Sequence, residues 1–209
     1  MNTSIKTTPQ ERKLGFRVLF LGMFAIGTGQ TLFIAVLPPY ARGLGLSEVQ
    51  VGFIFSLSAL GWMLMSPFWG KRSDYLGRKS IIILGLIIYS ITTILMGVEF
   101  RLNELGVINL STLFGLLILT RGCYGFLGSG AHSASMAYVA DRTTERERSG
   151  VMAVMGSAFA ISGIVGPGLA SAAVLLGPLV PYFLFGGITG FIALLIFIYL
   201  PEKTKPIRP

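Results

Sequence analysis

Gly70-Lys71-Arg72-Ser73-Asp74-Tyr75-Leu76-Gly77-Arg78-Lys79 stands between two strongly apolar runs. Half of its residues are charged, more than a lipid-embedded segment tolerates. It therefore reads as a tight turn between two membrane helices, on the charged side of a bilayer. Two glycines seven residues apart, Gly70 and Gly77, bracket a lone acid, Asp74, within the basic run. Gly77 is placed to supply a turn conformation that is costly for other residues, and Gly70 to allow close helix approach.

The composition agrees. Hydrophobic residues make up 53% of the 209 and charged residues 12%, against roughly 25% charged in a soluble domain. The 17 basic and 9 acidic residues leave a formal charge of +8. The basic residues cluster between apolar runs and are not interleaved with aromatics, which is the signature of membrane topology and argues against a nucleic-acid partner. Cys123 is the only cysteine, so no intrachain disulfide exists. The first apolar run is too long for a cleavable signal and is expected to stay as the first span.

Working outward from the turn, the uncharged runs predict an all-α membrane protein of six transmembrane helices, at approximately 18–41, 49–70, 80–98, 107–140, 149–176 and 178–200. Each reaches the ~20 residues needed to cross ~30 Å of hydrocarbon. Pro38-Pro39 is expected to end the first helix, and Gly177-Pro178 to divide the last two. Residues 1–17 and 201–209 read as tails. Fourteen lysines and arginines fall on one side (Lys6, Arg12, Lys13, Arg17, Lys71, Arg72, Arg78, Lys79, Arg142, Arg146, Arg148, Lys203, Lys205, Arg208) and two, Arg42 and Arg101, on the other. The positive-inside rule then places both termini in the cytoplasm.

On this division Arg121 is the one charge inside a span, and none of the nine acids lies in one. An arginine at mid-membrane costs ~2.5–3.5 kcal/mol, so it should face a cavity or a partner. At 100° per residue Gly125, Gly128 and His132 fall on the Arg121 stripe. His132 reads either as a histidine hydrogen-bonded between helices or as a proton-responsive group lining a path. Gln30, with Thr28 and Thr31, is the polar content of the first helix. No metal-ligand cluster, phosphate-cradling loop or nucleophile beside a base occurs, so no enzyme, metal or cofactor is expected.

The turn Gly70 to Lys79 resembles the G-x-x-x-D-x-x-G-R-K loop of the major facilitator superfamily. Arg121 and Gly125 resemble its R-x-x-x-G pattern in the fourth helix, with Tyr124 where glutamine is common. Asp141 to Gly150, after Ala137-Tyr138-Val139-Ala140, resembles the connector of the tetracycline-type drug:proton antiporters, including Arg148. In the fifth helix Ser162, Gly166, Pro167, Ala170 and Ser171 resemble the antiporter pattern G-P-x-x-G-G, with Ala170 and Ser171 replacing its last glycines.

The resemblance implies the first half of a twelve-helix fold, a 3+3 inverted repeat, stopping where the family's central linker begins. It implies that Asp74 sits against a helix N-terminus of the opposite half, that Arg78 pairs with Asp141, and that Lys79 belongs to the same gating motif. It implies a transport path at Arg121 and Tyr124, to which His132 and Gln30 are added here as the polar groups of their spans, and small-molecule efflux by proton antiport across the inner membrane. A second six-helix half, or a second copy, is then the expected partner. The alternatives are an uptake carrier for a small metabolite and a non-transporting remnant or assembly subunit.

Overall fold

A computed structural model describes residues 9–201. Lys6, Lys203, Lys205 and Arg208, four of the basic residues used for orientation, lie outside them, with most of the 201–209 tail. The described residues form α1 (Pro9–Gly43), α2 (Glu48–Leu76), α3 (Arg78–Glu104), α4 (Leu110–Cys123), a π-helical segment (Tyr124–Gly128), α5 (Gly130–Ala140), α6 (Glu145–Val174) and α7 (Val180–Tyr199), and contain no strand. The run from α4 through the π segment to α5 is one rod, so the described residues make six rods. At 1.5 Å per residue even the shortest, at 20 residues, spans ~30 Å.

Several helices outrun their expected limits. α1 is already helical at Pro9 and α3 continues through Glu99 to Glu104. Charges end burial in hydrocarbon but do not end a helix. Pro38-Pro39 does not stop α1, which continues to Gly43. Proline's fixed φ is helical, so the helix continues, although the Ile34 and Ala35 carbonyls lose their amide donors there. α6 likewise runs unbroken through Pro167.

The true stops have local causes. Ser47 accepts from the Gln50 amide, and the Gln50 side chain accepts from the Ser47 amide, a capping box opening α2. Asn109 Oδ1 accepts from the Thr112 amide at 2.8 Å and opens α4. Gly77, at φ +93°, breaks the chain between α2 and α3.

α1 packs on α6 and α7, α3 on α7 and the fourth rod, and α2 along the fourth rod. Exchanging the first three rods for the last three maps these pairings onto themselves, as an inverted repeat requires. The core has two parts. Leu19, Met23, Ile81, Leu86, Tyr138 and Ile196 fill the end near the basic turn. Leu32, Phe33, Tyr89, Phe100, Leu117 and Tyr182 fill the other. The outer face is itself apolar, with Ile164, Phe191 and Phe197 all exposed, as a lipid-facing surface should be.

Candidate functional site

The centre of the bundle holds a buried polar chain. Arg121 at the end of α4 is 4% exposed, and its Nη2 donates to Gln30 Oε1 of α1 at 3.1 Å. Gln30 Nε2 in turn donates to Tyr124 Oη at 2.6 Å. The guanidinium lies 4.2 Å from the centroid of Phe33, 5.2 Å from that of Tyr124 and 6.0 Å from that of Phe55. Aromatic faces offset part of the cost of a dry cation. Arg121 Nε is buried with no hydrogen-bond partner among the described residues. Beside this group opens a cleft of about 350 Å³, walled by Gln30, Phe55, Ser58, Trp62, Met63 and Arg121.

His132 does not share the Arg121 stripe. The π segment inserts one extra residue into the turn and rotates the remainder of the rod by about 100°. His132 instead packs between Trp62 of α2 (5.6 Å between ring centroids) and Phe159 of α6 (5.1 Å), with Nδ1 buried and unpartnered among the described residues. Trp62 also walls the cleft, so it stands between the histidine and the arginine chain. Gly125 approaches the Ser58 backbone of α2, and Gly128 approaches the Tyr124 ring.

Among the described residues one acid is buried inside a rod after all. Glu99 of α3 is 7% exposed and receives the Thr120 hydroxyl. Its Oε2 is buried with no partner among the described residues. A span drawn to stop at the first charge leaves Glu99 outside by construction; the helix continues past it and turns it inward. Phe33, Phe55 and Trp62 are likewise not legible as site residues in the sequence, because their apolar neighbours give no cue to which face meets the cleft.

At the basic end Arg78 is the hub. It pairs with Asp74 one turn back and donates through Nε to Asp141 Oδ2 at 3.1 Å. Its Nη1 donates to the Gly70 carbonyl at 3.2 Å and to the Ser73 hydroxyl. A Cβ added at Gly70 would sit 3.8 Å from Ser133 Cβ, an ordinary contact. Close approach therefore does not require glycine there, and the position contributes its carbonyl. Lys79 places Nζ 5.4 Å from the Phe197 ring centroid. Arg148 Nη2 donates to the Ala140 carbonyl at 3.3 Å, closing the end of α5. Arg142, read from sequence only as a topogenic charge, is buried over the Tyr138 ring at 3.6 Å, and both side chains donate to the Pro201 carbonyl.

The fifth-rod residues form the α1–α6 seam. Thr31 Oγ1 donates to the Ser162 carbonyl at 3.2 Å. A side chain at Gly166 would strike Thr31. Ser162 and Ala170 are fully buried, whereas Pro167 faces outward.

The Major Facilitator Superfamily profile matches residues 19–209. The chain is 29% identical over 204 residues to Multidrug resistance protein 2 of Bacillus subtilis, covering 98% of itself and 48% of that protein. It is 29% identical over 189 residues to Quinolone resistance protein NorA of Staphylococcus aureus, covering 90% of itself and 46% of that protein. The crystal structure of the human organic anion transporter MFSD10 (TETRAN) superposes with a TM-score of 0.69 at 24% identity, over 94% of this chain and 49% of that one. The chain thus spans about half the length of the relatives it matches.

Proposed function

The chain belongs to the Major Facilitator Superfamily, and on that premise we propose that it is one six-helix body of a secondary carrier exporting small organic molecules. The observation that carries this reading is the cleft walled by Phe55 and Trp62 with the Arg121–Gln30–Tyr124 chain at its edge. Such a site combines apolar area with few, fixed polar groups. The half-length match to two proteins named for drug and quinolone resistance supports export.

The basic turn faces the cytoplasm of the inner membrane in this reading. A second six-helix body, whether another chain or another copy, closes the open side of the cleft, where Ile34 and Met63 stand exposed. Protons are the proposed coupling ion. Glu99 and His132 are the groups this chain contributes, since an ionisable side chain within a span marks an ion path by default.

The test is accumulation of a fluorescent organic dye in cells that lack their own exporters. Cells making this chain joined to a second six-helix body should hold less dye than cells making the same pair with Arg121→Ala. Equal accumulation in the two, at equal membrane levels, would count against export through this cleft.

Arg121 Nε favours a second reading, because a buried donor without a partner among the described residues is suited to an organic anion. The likeness to a transporter named for organic anions fits this. Saturable uptake of a carboxylate dye, lost in Arg121→Ala, would select it over export.

A further inference from the structure

We propose a binding site for an anionic glycerophospholipid in a groove on the outer wall of the bundle, between α1 and α6 at the basic end. The groove encloses about 510 Å³. Lys13 and Arg17 stand at its mouth, and Phe20, Leu21, Val154 and Met155 form its walls. It shares no lining residue with the central cleft.

The two cations are four residues apart, hence on one face of α1. Both are exposed, and neither meets an acid, a carbonyl or a ring among the described residues. At the same end Arg12 is engaged with Glu147, Arg78 with Asp74 and Asp141, and Arg148 with the Ala140 carbonyl, while Lys71, Arg72 and Arg146 are exposed but do not line the groove. Two adjacent cations, unpaired among the described residues, above an apolar slot match one ligand chemistry, a phosphate monoanion carried on a hydrocarbon chain.

The slot has the right reach. Lys13 to Leu21 spans ~12 Å along the helix, the length of about ten methylenes. Leu21 and Val154 expose 46% and 55% of their surface, while Met155 is buried as the floor. The groove also faces the correct way. At 100° per residue Arg17 and Leu21 lie between the side of α1 that meets α7 at Gly22 and the side that meets α6 at Thr31. Gln30 and Ile34, toward the cleft, lie outside that sector. Basic pockets between helices at this depth are established anionic-lipid recognition devices. A lipid seated here would brace the α1–α6 seam.

The experiment uses the chain purified in a mild detergent, with native mass spectrometry and thermal unfolding as readouts. The probes are phosphatidylglycerol and phosphatidylcholine of the same acyl composition. One phosphatidylglycerol should be retained, with a raised Tm, and phosphatidylcholine should not. Lys13→Gln/Arg17→Gln should weaken retention by about thirtyfold, the factor two surface cations supply. Arg72→Gln/Arg146→Gln removes the same charge at the same end but outside the groove, and should leave retention unchanged. Val154→Trp keeps both cations, fills the slot and should abolish retention. Equal loss in the two charge pairs, equal retention of the two lipids, or retention unaffected by Val154→Trp would each overturn the site. So would an identical Tm shift from soluble glycerol phosphate, which would leave a phosphate contact without a lipid.

Discussion

Arg78 and Asp141, 63 residues apart, join the start of the third rod to the end of the fourth through a 3.1 Å bond from Nε to Oδ2. The same guanidinium holds Asp74, Ser73 and the Gly70 carbonyl. The arginine side chain is 14% exposed and the two carboxylates 38% and 36%, so water screens the acid side of the network.

Asp141→Asn should therefore cost only about 0.5–1 kcal/mol of stability. Arg78→Ala should cost more, because it also strips the Gly70 carbonyl of a donor. Thermal unfolding in detergent checks the order. In a complete two-body carrier Asp74→Asn should abolish transport with normal membrane insertion, and unaltered flux would remove the gating role.

Gln30 relays between two buried partners, so Gln30→Leu should destabilise by about 1–3 kcal/mol, leaving an Arg121 donor and the Tyr124 hydroxyl unmatched. Gln30→Glu supplies a charge-assisted acceptor for Arg121 and should recover most of that loss. A melting temperature for Gln30→Leu equal to the parent's would mean the chain contributes nothing to stability.

Glu99→Gln preserves shape and hydrogen bonding but cannot carry a proton. The pH dependence of transport in a complete carrier should flatten, with substrate affinity kept. His132→Gln provides the comparison at the other candidate. If both profiles match the parent's, the proton site lies in the second body.

Glycines on two faces should behave oppositely. A Cβ at Gly85 would lie 2.9 Å from the Ala131 amide nitrogen and from the Gly128 carbonyl oxygen, both backbone atoms that cannot step aside. Gly85→Ala should cost about 1–3 kcal/mol. A Cβ at Gly156 meets nothing within 4 Å, so Gly156→Ala should stabilise by about 0.5–1 kcal/mol through helix propensity. Unfolding midpoints of the two variants, measured side by side, decide it.

Six apolar runs, the charged turn from Gly70 to Lys79 and the lone Arg121 are readable in order along the chain. Each depends on transfer between water and hydrocarbon, a property of composition over a window of about twenty residues. The pairing of Arg78 with Asp141 is legible only through the resemblance of Gly70 to Lys79 to the family's loop, which implies an acid at the end of the fourth helix. The facing of one helix toward another is not legible. The π segment at Tyr124–Gly128 shifts the register by one residue and turns His132 away from Arg121, and no local signal marks it, since the insertion is stabilised by packing against α2 and α3. Hydropathy puts Glu99 in a loop because charge marks the edge of the hydrocarbon, whereas the helix continues as long as its backbone bonds and neighbours support it. The partners of Gln30, Thr120 and Arg142 lie 94, 21 and 59 residues away. Only the tertiary structure decides such contacts, because they depend on helix rotation, which hydropathy leaves free.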